Sequence, residues 1–381
     1  MAPEVRKTEK LRVVIAGAGV AALECALALA ELAPGRTDVN VIAPNAEFFN
    51  RPMSVREPFG YARARRYPLA SILRFAGATQ LMDELSWVDP VNQTVHTMGQ
   101  RALDYDALVL ALGARAVPRY EHAMTIDDRR LDETMHGLIQ DVEAGYTRSI
   151  AFISPGRMAW PLPMYELALM TAGRAYDMGE EVSITIVTPE DSPLAIFGSA
   201  ASAAVGERLA RARIETVNSA YAEVPSNGNV VINPGERHLR VGRVVALPEL
   251  FGPPLRGVPL GTHGFVRADQ HGQVAHAGPI YAAGDVTEFP IKHGGLAAQQ
   301  ADAVAESIAA CAGARLTPQP FNPVIQGILL TDAEPLYLTA KITGGHGFSS
   351  EVSDTPSFSP PAKIAAKYLA PVLDQCDSQA S

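Results

Sequence analysis

The first strong pattern of apolar and polar positions runs from Leu11 to Leu32. A β-branched run, Val13-Val14-Ile15, leads into a glycine turn and then about fourteen helix-forming residues, and the apolar stretch Val39-Asn-Val-Ile42 follows Pro34-Gly35. Strand, turn, helix, strand is the opening of a βαβ unit. Between 80 and 112 the alternation predicts short antiparallel strands at LSWVD and QTVHT. They are followed by a buried-type run from Tyr105 to Ala111 that Gly113 ends. The βαβ plan returns at residue 149: Ser149–Ile153 reads as a strand, YELALMTAGRAYDMG as a helix ending at Gly179, Val182–Val187 as a strand and VGERLARARI as a helix. Chain rich in Pro and Gly then leads to IYAAGD at 280–285, and a long helix runs from Gly294-Gly295 to about Gly313. The remainder mixes short strands, a Ser/Pro-rich stretch (SDTPSFSPP) and one short amphipathic helix, AKIAAKYLAPVL. Its apolar positions Ile364, Tyr368, Leu369, Val372 and Leu373 share one helical face, opposite Lys363 and Lys367.

Composition narrows the function. Charged residues are 19% of the 381, below the usual quarter or so, which points to much buried surface. Bases number 32 against 41 acids, a net charge of −9 with no long basic run, so nucleic acid is excluded as the main partner. No apolar run reaches the roughly 18 residues of a membrane span. The start, MAPEVRKTEKLRVV, is basic and then apolar as in an export signal, but Glu24 and Cys25 interrupt the apolar part and no small-x-small cleavage site follows. The expected location is cytoplasmic. Cys25, Cys311 and Cys376 are scattered, with no CxxC and no metal-ligand spacing, so no metal site is expected.

Gly17-Ala-Gly19-Val-Ala-Ala22 fits GxGxxG/A after a strand and at a helix start. Gly17 permits the tight turn, Gly19 lets backbone approach a pyrophosphate, and Ala22 lets helix and strand pack closely; the helix N terminus supplies N–H groups to the anion. The acid that usually holds a ribose hydroxyl at the end of the second strand is missing from Ala43-Pro44-Asn45. Asn45 or backbone groups take its place, or Asn45 is simply a turn residue.

GAGVAALE, FFNRPMSV (48–55), YDALVLALGA (105–114), IYAAGDVTEFP (280–290) and IKHGGLAAQQA (291–301) stand in an order that resembles the pyridine nucleotide-disulfide oxidoreductase superfamily. Within it, the chain is most similar to the sulfide:quinone oxidoreductase and type II NADH dehydrogenase branch. The resemblance spans about residues 11–312 and implies an α/β fold with two Rossmann-like FAD- and NAD(P)-binding domains, the second inserted in the first, plus a small C-terminal cap. The implied boundaries are 1–115 and 246–313 for the FAD domain, 116–245 for the NAD(P)-like domain and 314–381 for the cap. By position, Gly17, Gly19 and Ala22 hold the FAD pyrophosphate, and Arg51 and Pro52 lie along the adenosine and phosphate side. Ala111 and Gly113 match the family's ATG turn, with Leu112 in place of threonine. Gly284-Asp285 matches the motif whose aspartate bonds the ribityl chain, and Gly294-Gly295-Leu296 places a helix N terminus beside the isoalloxazine. Lys292 is the candidate cation for reduced flavin; a solvated loop lysine is the alternative.

The second dinucleotide turn departs from the pattern. Ser154-Pro-Gly156-Arg157-Met-Ala159-Trp160-Pro-Leu-Pro163 has no GxGxxG, and its prolines remove N–H donors. Either NAD(P)H binds an altered loop, with Glu166 on ribose or amide and Arg157 on phosphate, or the site is lost. Val187-Thr188-Pro189-Glu190 carries no arginine cluster for a 2′-phosphate, favouring NADH over NADPH. Cysteine pairs attack sulfur in the sulfide- and disulfide-using members of the superfamily, and no cysteine here stands on a flavin motif. The expected reaction is therefore transfer through flavin N5 from NAD(P)H to a small acceptor such as a quinone, without a redox disulfide. The alternatives are a reductase for a ferredoxin-like protein and a non-catalytic FAD-binding protein. The C-terminal helix is expected to pack on the chain's own core or in a homodimer, with peripheral membrane contact as the other reading.

Overall fold

The structure is a computed structural model and describes residues 10–380 apart from 157–159, 332–333 and 343–347. Two parallel sheets organise it. The first has strand order Ile280–Ala282, Ala107–Leu110, Leu11–Ala16, Thr37–Ile42, Thr79–Leu81, so its first strand in sequence lies in the middle. Val13, Val14 and Ile15 are at most 1% exposed there, as expected of a β-branched run covered on both faces. The second sheet repeats the plan with order Met124–Thr125, Arg243–Ala246, Ser149–Ile153, Ser183–Val187, Glu215–Val217.

The helices are α1 (Val20–Leu32), α2 (Leu69–Ala76), α3 (Leu131–Glu143), α4 (Leu162–Asp177), α5 (Ser199–Arg211), α6 (Gly294–Cys311) and α7 (Leu369–Ala380). One face of the first sheet is buried under α1, α2, α6 and α7, through residues such as Leu23, Ile72, Val304 and Leu369. Its other face meets the antiparallel strands Leu85–Asp89, Thr94–Thr97 and Ala102–Asp104 through Val88 and Val95. The second sheet lies between α3, α4 and α5 on one side and the antiparallel strands Tyr221–Ser226, Asn229–Asn233 and Arg237–Arg240 on the other. A last antiparallel sheet, Val324–Leu329, Leu336–Ile342 and Phe348–Ser353, buries Ile325, Leu329 and Leu338 in the cluster under α4 and α5. The fold class is the one expected, two Rossmann-like units with the second inserted in the first. The strand order reverses about Leu11–Ala16 in the first sheet and about Ser149–Ile153 in the second, and open α/β sheets bind ligands at the carboxyl ends of strands at such a switch point.

One expected element moves. The helix read from AKIAAKYLAPVL begins only at Leu369 and runs to Ala380, taking in Cys376. Residues 362–368 are non-helical, and Ile364, Ala366 and Tyr368 are buried in alternation, the period of extended chain. Pro371 explains the late start: it falls in the first turn of α7, where its missing N–H costs nothing. The apolar face of α7 packs on α1 and α2, so Leu369, Val372 and Leu373 belong to the chain's own core. Among the described residues no helix is long and apolar enough to cross a membrane.

Candidate dinucleotide and flavin site

The glycine turn is built by backbone demands. Gly17 has φ +117°, and a Cβ there would stand 2.2 Å from the Ala111 carbonyl oxygen, so this position must be glycine for the two strand ends to close. Gly19 is the N-cap of α1, with no side chain bonding the first-turn N–H groups. A Cβ at Gly19 would meet nothing within 4 Å. The first turn of α1 thus presents N–H groups to open space, the arrangement that takes an anion. Ala22 is fully buried against the sheet. Asn45 is exposed at the end of the neighbouring strand; its carbonyl accepts from Gln80 Nε2 at 2.8 Å and its side chain makes no hydrogen bond among the described residues.

Gly284 returns to the same turn. It has φ +80°, and a Cβ would crowd Ala21 at 3.0 Å and Ala297 at 3.3 Å, so it lets α1 and α6 approach at their N termini. Asp285 follows. Its carboxylate accepts no hydrogen bond among the described residues; burial raises its pKa, and the charges of Lys292 and Arg51 pull it back. Arg51 opens the 3-10 segment Arg51–Phe59, with Pro52 behind it, and stands 4.0 Å from Asp128. Lys292 is 7% exposed rather than solvated. It donates to the Thr287 carbonyl and lies 4.0 Å over the Phe265 ring, and burial pushes its pKa down to about 8 against Asp285 and Glu288. Ala111 is buried, and Gly113, at φ +74°, has open space where a Cβ would be.

The α6 N terminus completes the group. Its N-cap is His293, again with no side-chain cap, and Gly294, Gly295 and Leu296 form its first turn. The Ile364 side chain comes within 3.3 Å of the ideal Cβ position at Gly294, so the C-terminal chain lies across this turn. Uncapped first-turn N–H groups, an acceptor-only carboxylate without donors and Cβ-free backbone all fit a dinucleotide with a hydroxylated chain, which is what FAD offers.

Glu166 is not part of this group. It is fully buried in α4, where Oε1 accepts from Lys363 Nζ at 2.5 Å and from the Leu330 N–H at 2.7 Å. Burial pushes Glu166 up and Lys363 down, which narrows the gap between the ionic and the neutral hydrogen-bonded form of the pair. The sequence placed Lys363 opposite the apolar face of a helix; its side chain is instead 7% exposed, outside any helix and inside the protein. At the second turn, α4 starts with Pro161 as N-cap and Pro163 just inside. Tyr165 is buried and donates to Glu190 Oε2 at 2.7 Å, with Thr188 Oγ1 at 3.1 Å. Glu190 follows the Ser183–Val187 strand, where a ribose-binding acid stands in this fold. Arg157 lies outside the described residues. Cys25 is buried in α1 with its thiol pushed up by burial, Cys376 lies in α7, and Cys311 is exposed at the end of α6.

Residues 11–145 match the family model described as pyridine nucleotide-disulphide oxidoreductase. That stretch, about a third of the chain, is similar to this family. Its members are FAD-dependent oxidoreductases with pyridine nucleotide as electron donor. Among solved structures, the chain is similar to the sulfide:quinone oxidoreductase of Aquifex aeolicus, at 20% identity and a TM-score of 0.80 over 91% of this chain and 87% of that one. A ferredoxin reductase from Rhodopseudomonas palustris gives 17% and 0.65 over 90% and 88%. An NAD-dependent persulfide reductase from A. fulgidus gives 18% and 0.62 over 87% of this chain and 64% of its own. At such identities the likeness is one of fold. No curated protein matches in sequence.

Proposed function

We propose that this oxidoreductase passes electrons from NAD(P)H to a small acceptor such as a quinone, with no redox disulfide. One observation carries the reading: two uncapped helix N termini, α1 at Gly19 and α6 at Gly294, meet around Gly284 with the donor-free carboxylate of Asp285 beside them. Bound FAD supplies two-electron chemistry at N5. The chain's own part is binding and electrostatics. Gly17, Gly19 and Ala22 receive the pyrophosphate, Arg51 and Pro52 flank it, and Asn45 meets the adenosine ribose. Ala111 and Gly113 keep the strand ends clear of side chains, and Asp285 accepts from ribityl hydroxyls. Lys292 and the first turn Gly294-Gly295-Leu296 oppose the negative charge of reduced flavin. The FAD unit then comprises 1–115 and 246–313, the NAD(P)-like unit 116–245 and the cap 314–381.

For NAD(P)H the ribose contact moves from Glu166, which is engaged with Lys363, to Glu190. The absence of a disulfide step is supported by the three cysteines lying on α1, the far end of α6 and α7. A second reading, a ferredoxin-like redox protein as acceptor, draws on the fold shared with the Rhodopseudomonas palustris ferredoxin reductase. Anaerobic titration of the purified yellow protein decides the donor. NADH is expected to bleach the flavin and a water-soluble quinone to restore it. Flavin that neither NADH nor NADPH reduces would remove the donor half of the proposal, and colourless protein that takes up no FAD would remove all of it.

A further inference from the structure

His293 is the side chain that lies over the first turn of α6. From an extended backbone at the N-cap, its imidazole folds back so that an ideal Cβ at Gly295 would be 2.9 Å from Cε1 and 3.3 Å from Nδ1. The residue is 8% exposed, and Nδ1 is buried with no hydrogen-bond partner among the described residues. Trp160, half-buried, lies against the same ring at 4.3 Å between centroids and 35° between planes, and meets Phe197 edge-on at 5.6 Å. A second buried atom without a hydrogen-bond partner, Glu166 Oε2, belongs to the carboxylate whose Oε1 accepts from Lys363. Half-buried Ile196, Phe289 and Leu330 pack on the same apolar cluster as Trp160.

A buried polar atom left unpaired costs stability, so the unpaired Nδ1 of His293 against the Trp160 ring calls for an explanation in terms of a ligand. Burial, and then the charge of Lys363, hold the His293 pKa down at about 3, so the imidazole is neutral and Nδ1 can donate or accept. An apolar wall with one or two convergent polar atoms is how planar organic ligands are held. We infer that Trp160 and His293 form the acceptor subsite, Trp160 stacking on a planar aromatic dicarbonyl compound while His293 Nδ1 hydrogen-bonds one of its oxygens. The inference rests on the acceptor reading above and adds the residues that recognise it. It also accounts for Gly295, since any larger residue would push the imidazole away.

The chain has 2 tryptophans, so Trp87→Phe leaves Trp160 as sole reporter. Menadione added to the FAD-loaded Trp87→Phe protein is expected to quench Trp160 fluorescence saturably. In that background His293→Ala should raise both the Kd and the KM for menadione about tenfold, with flavin content and midpoint potential unchanged. His293→Asn, whose amide falls near the place of Nδ1, should recover most of the loss. Gly295→Ala, which keeps the histidine but displaces it, should weaken binding in the same direction. Quenching that never saturates, or a His293→Ala protein with unaltered Kd, overturns the inference. A His293→Ala protein whose potential shifts while its Kd stays put overturns it too, and assigns the histidine to flavin. Failure of the functional reading looks different: menadione would bind at Trp160, yet the reduced flavin would not be reoxidised by it.

Discussion

Gly17 and Gly19 are two residues apart and are glycine for different reasons. A side chain at Gly17 collides with backbone inside the protein, whereas one at Gly19 enters open space. Gly17→Ala is therefore expected to destabilise the fold itself, by about 1–3 kcal/mol or more of strain, read as a lower Tm of the FAD-free protein. Gly19→Val should leave that Tm nearly unchanged and abolish most of the flavin absorbance, because its side chain would fill the pyrophosphate position. Equal damage by both would refute the distinction. Lys292→Met removes a buried cation. One lost charge interaction of about 1–3 kcal/mol lowers the flavin midpoint potential by roughly 20–65 mV for a two-electron couple, with FAD content retained; an unchanged potential would leave α6 alone as support. The glycine turn was legible in the sequence because a backbone need selects a residue type there. His293 and Trp160 were not: one stood inside a motif read for its neighbours Lys292 and Gly294, the other inside a turn read for what it lacked.

Between elements, the chain from Lys363 to Leu369 links both units. Lys363 reaches Glu166 in α4 of the inserted unit, and two residues beyond Ala366 the N–H groups of Tyr368 and Leu369 donate to the buried carboxylate of Glu24 in α1, at 2.9 and 2.6 Å. Glu24 thereby caps α7. Neither contact was legible in the sequence, because the partners are 197 and 344 or more residues apart and an amphipathic pattern sets the lysines on the face opposite the packed one. Beside Glu24 stands Asp302 of α6, whose pKa burial raises to about 7, with Glu24 and Glu306 adding to the rise and Lys367 opposing it. The sign follows from linkage. The folded state holds this proton above the pH at which the unfolded chain releases it, so stability falls as pH rises from about 4 through about 7 and is level beyond. Asp302→Asn should flatten Tm against pH across that window, and an unaltered profile would show that Asp302 titrates normally.

For the whole molecule, the strand–turn–helix periodicity was enough to foresee two α/β units, since parallel sheets covered on both faces demand continuous apolar strands that stand out in any sequence. It could not foresee what lies over the α6 turn, which depends on contacts between distant segments. The cysteines test the redox proposal at this scale. Cys25→Ala, Cys311→Ala and Cys376→Ser together should leave flavin reduction and turnover nearly intact, with modest loss of stability from the buried Cys25. A turnover drop of about a thousandfold with FAD still bound would restore sulfur chemistry to the mechanism.

The order of strands in the first sheet also bears on how the protein is made. The glycine turn is made before the inserted unit, yet the strand Ile280–Ala282 that edges its sheet, and α6 that packs on α1, are made more than two hundred residues later than the turn. The inserted unit, Met124 to Ala246, holds all five strands of its sheet within one continuous stretch. Vectorial synthesis thus favours an inserted unit that folds first, while the flavin cradle waits half-built for Ile280–Ala282 and α6. Cofactor capture would then be a late event in biogenesis, and a chain starved of flavin would be vulnerable at the seam between α1 and α6.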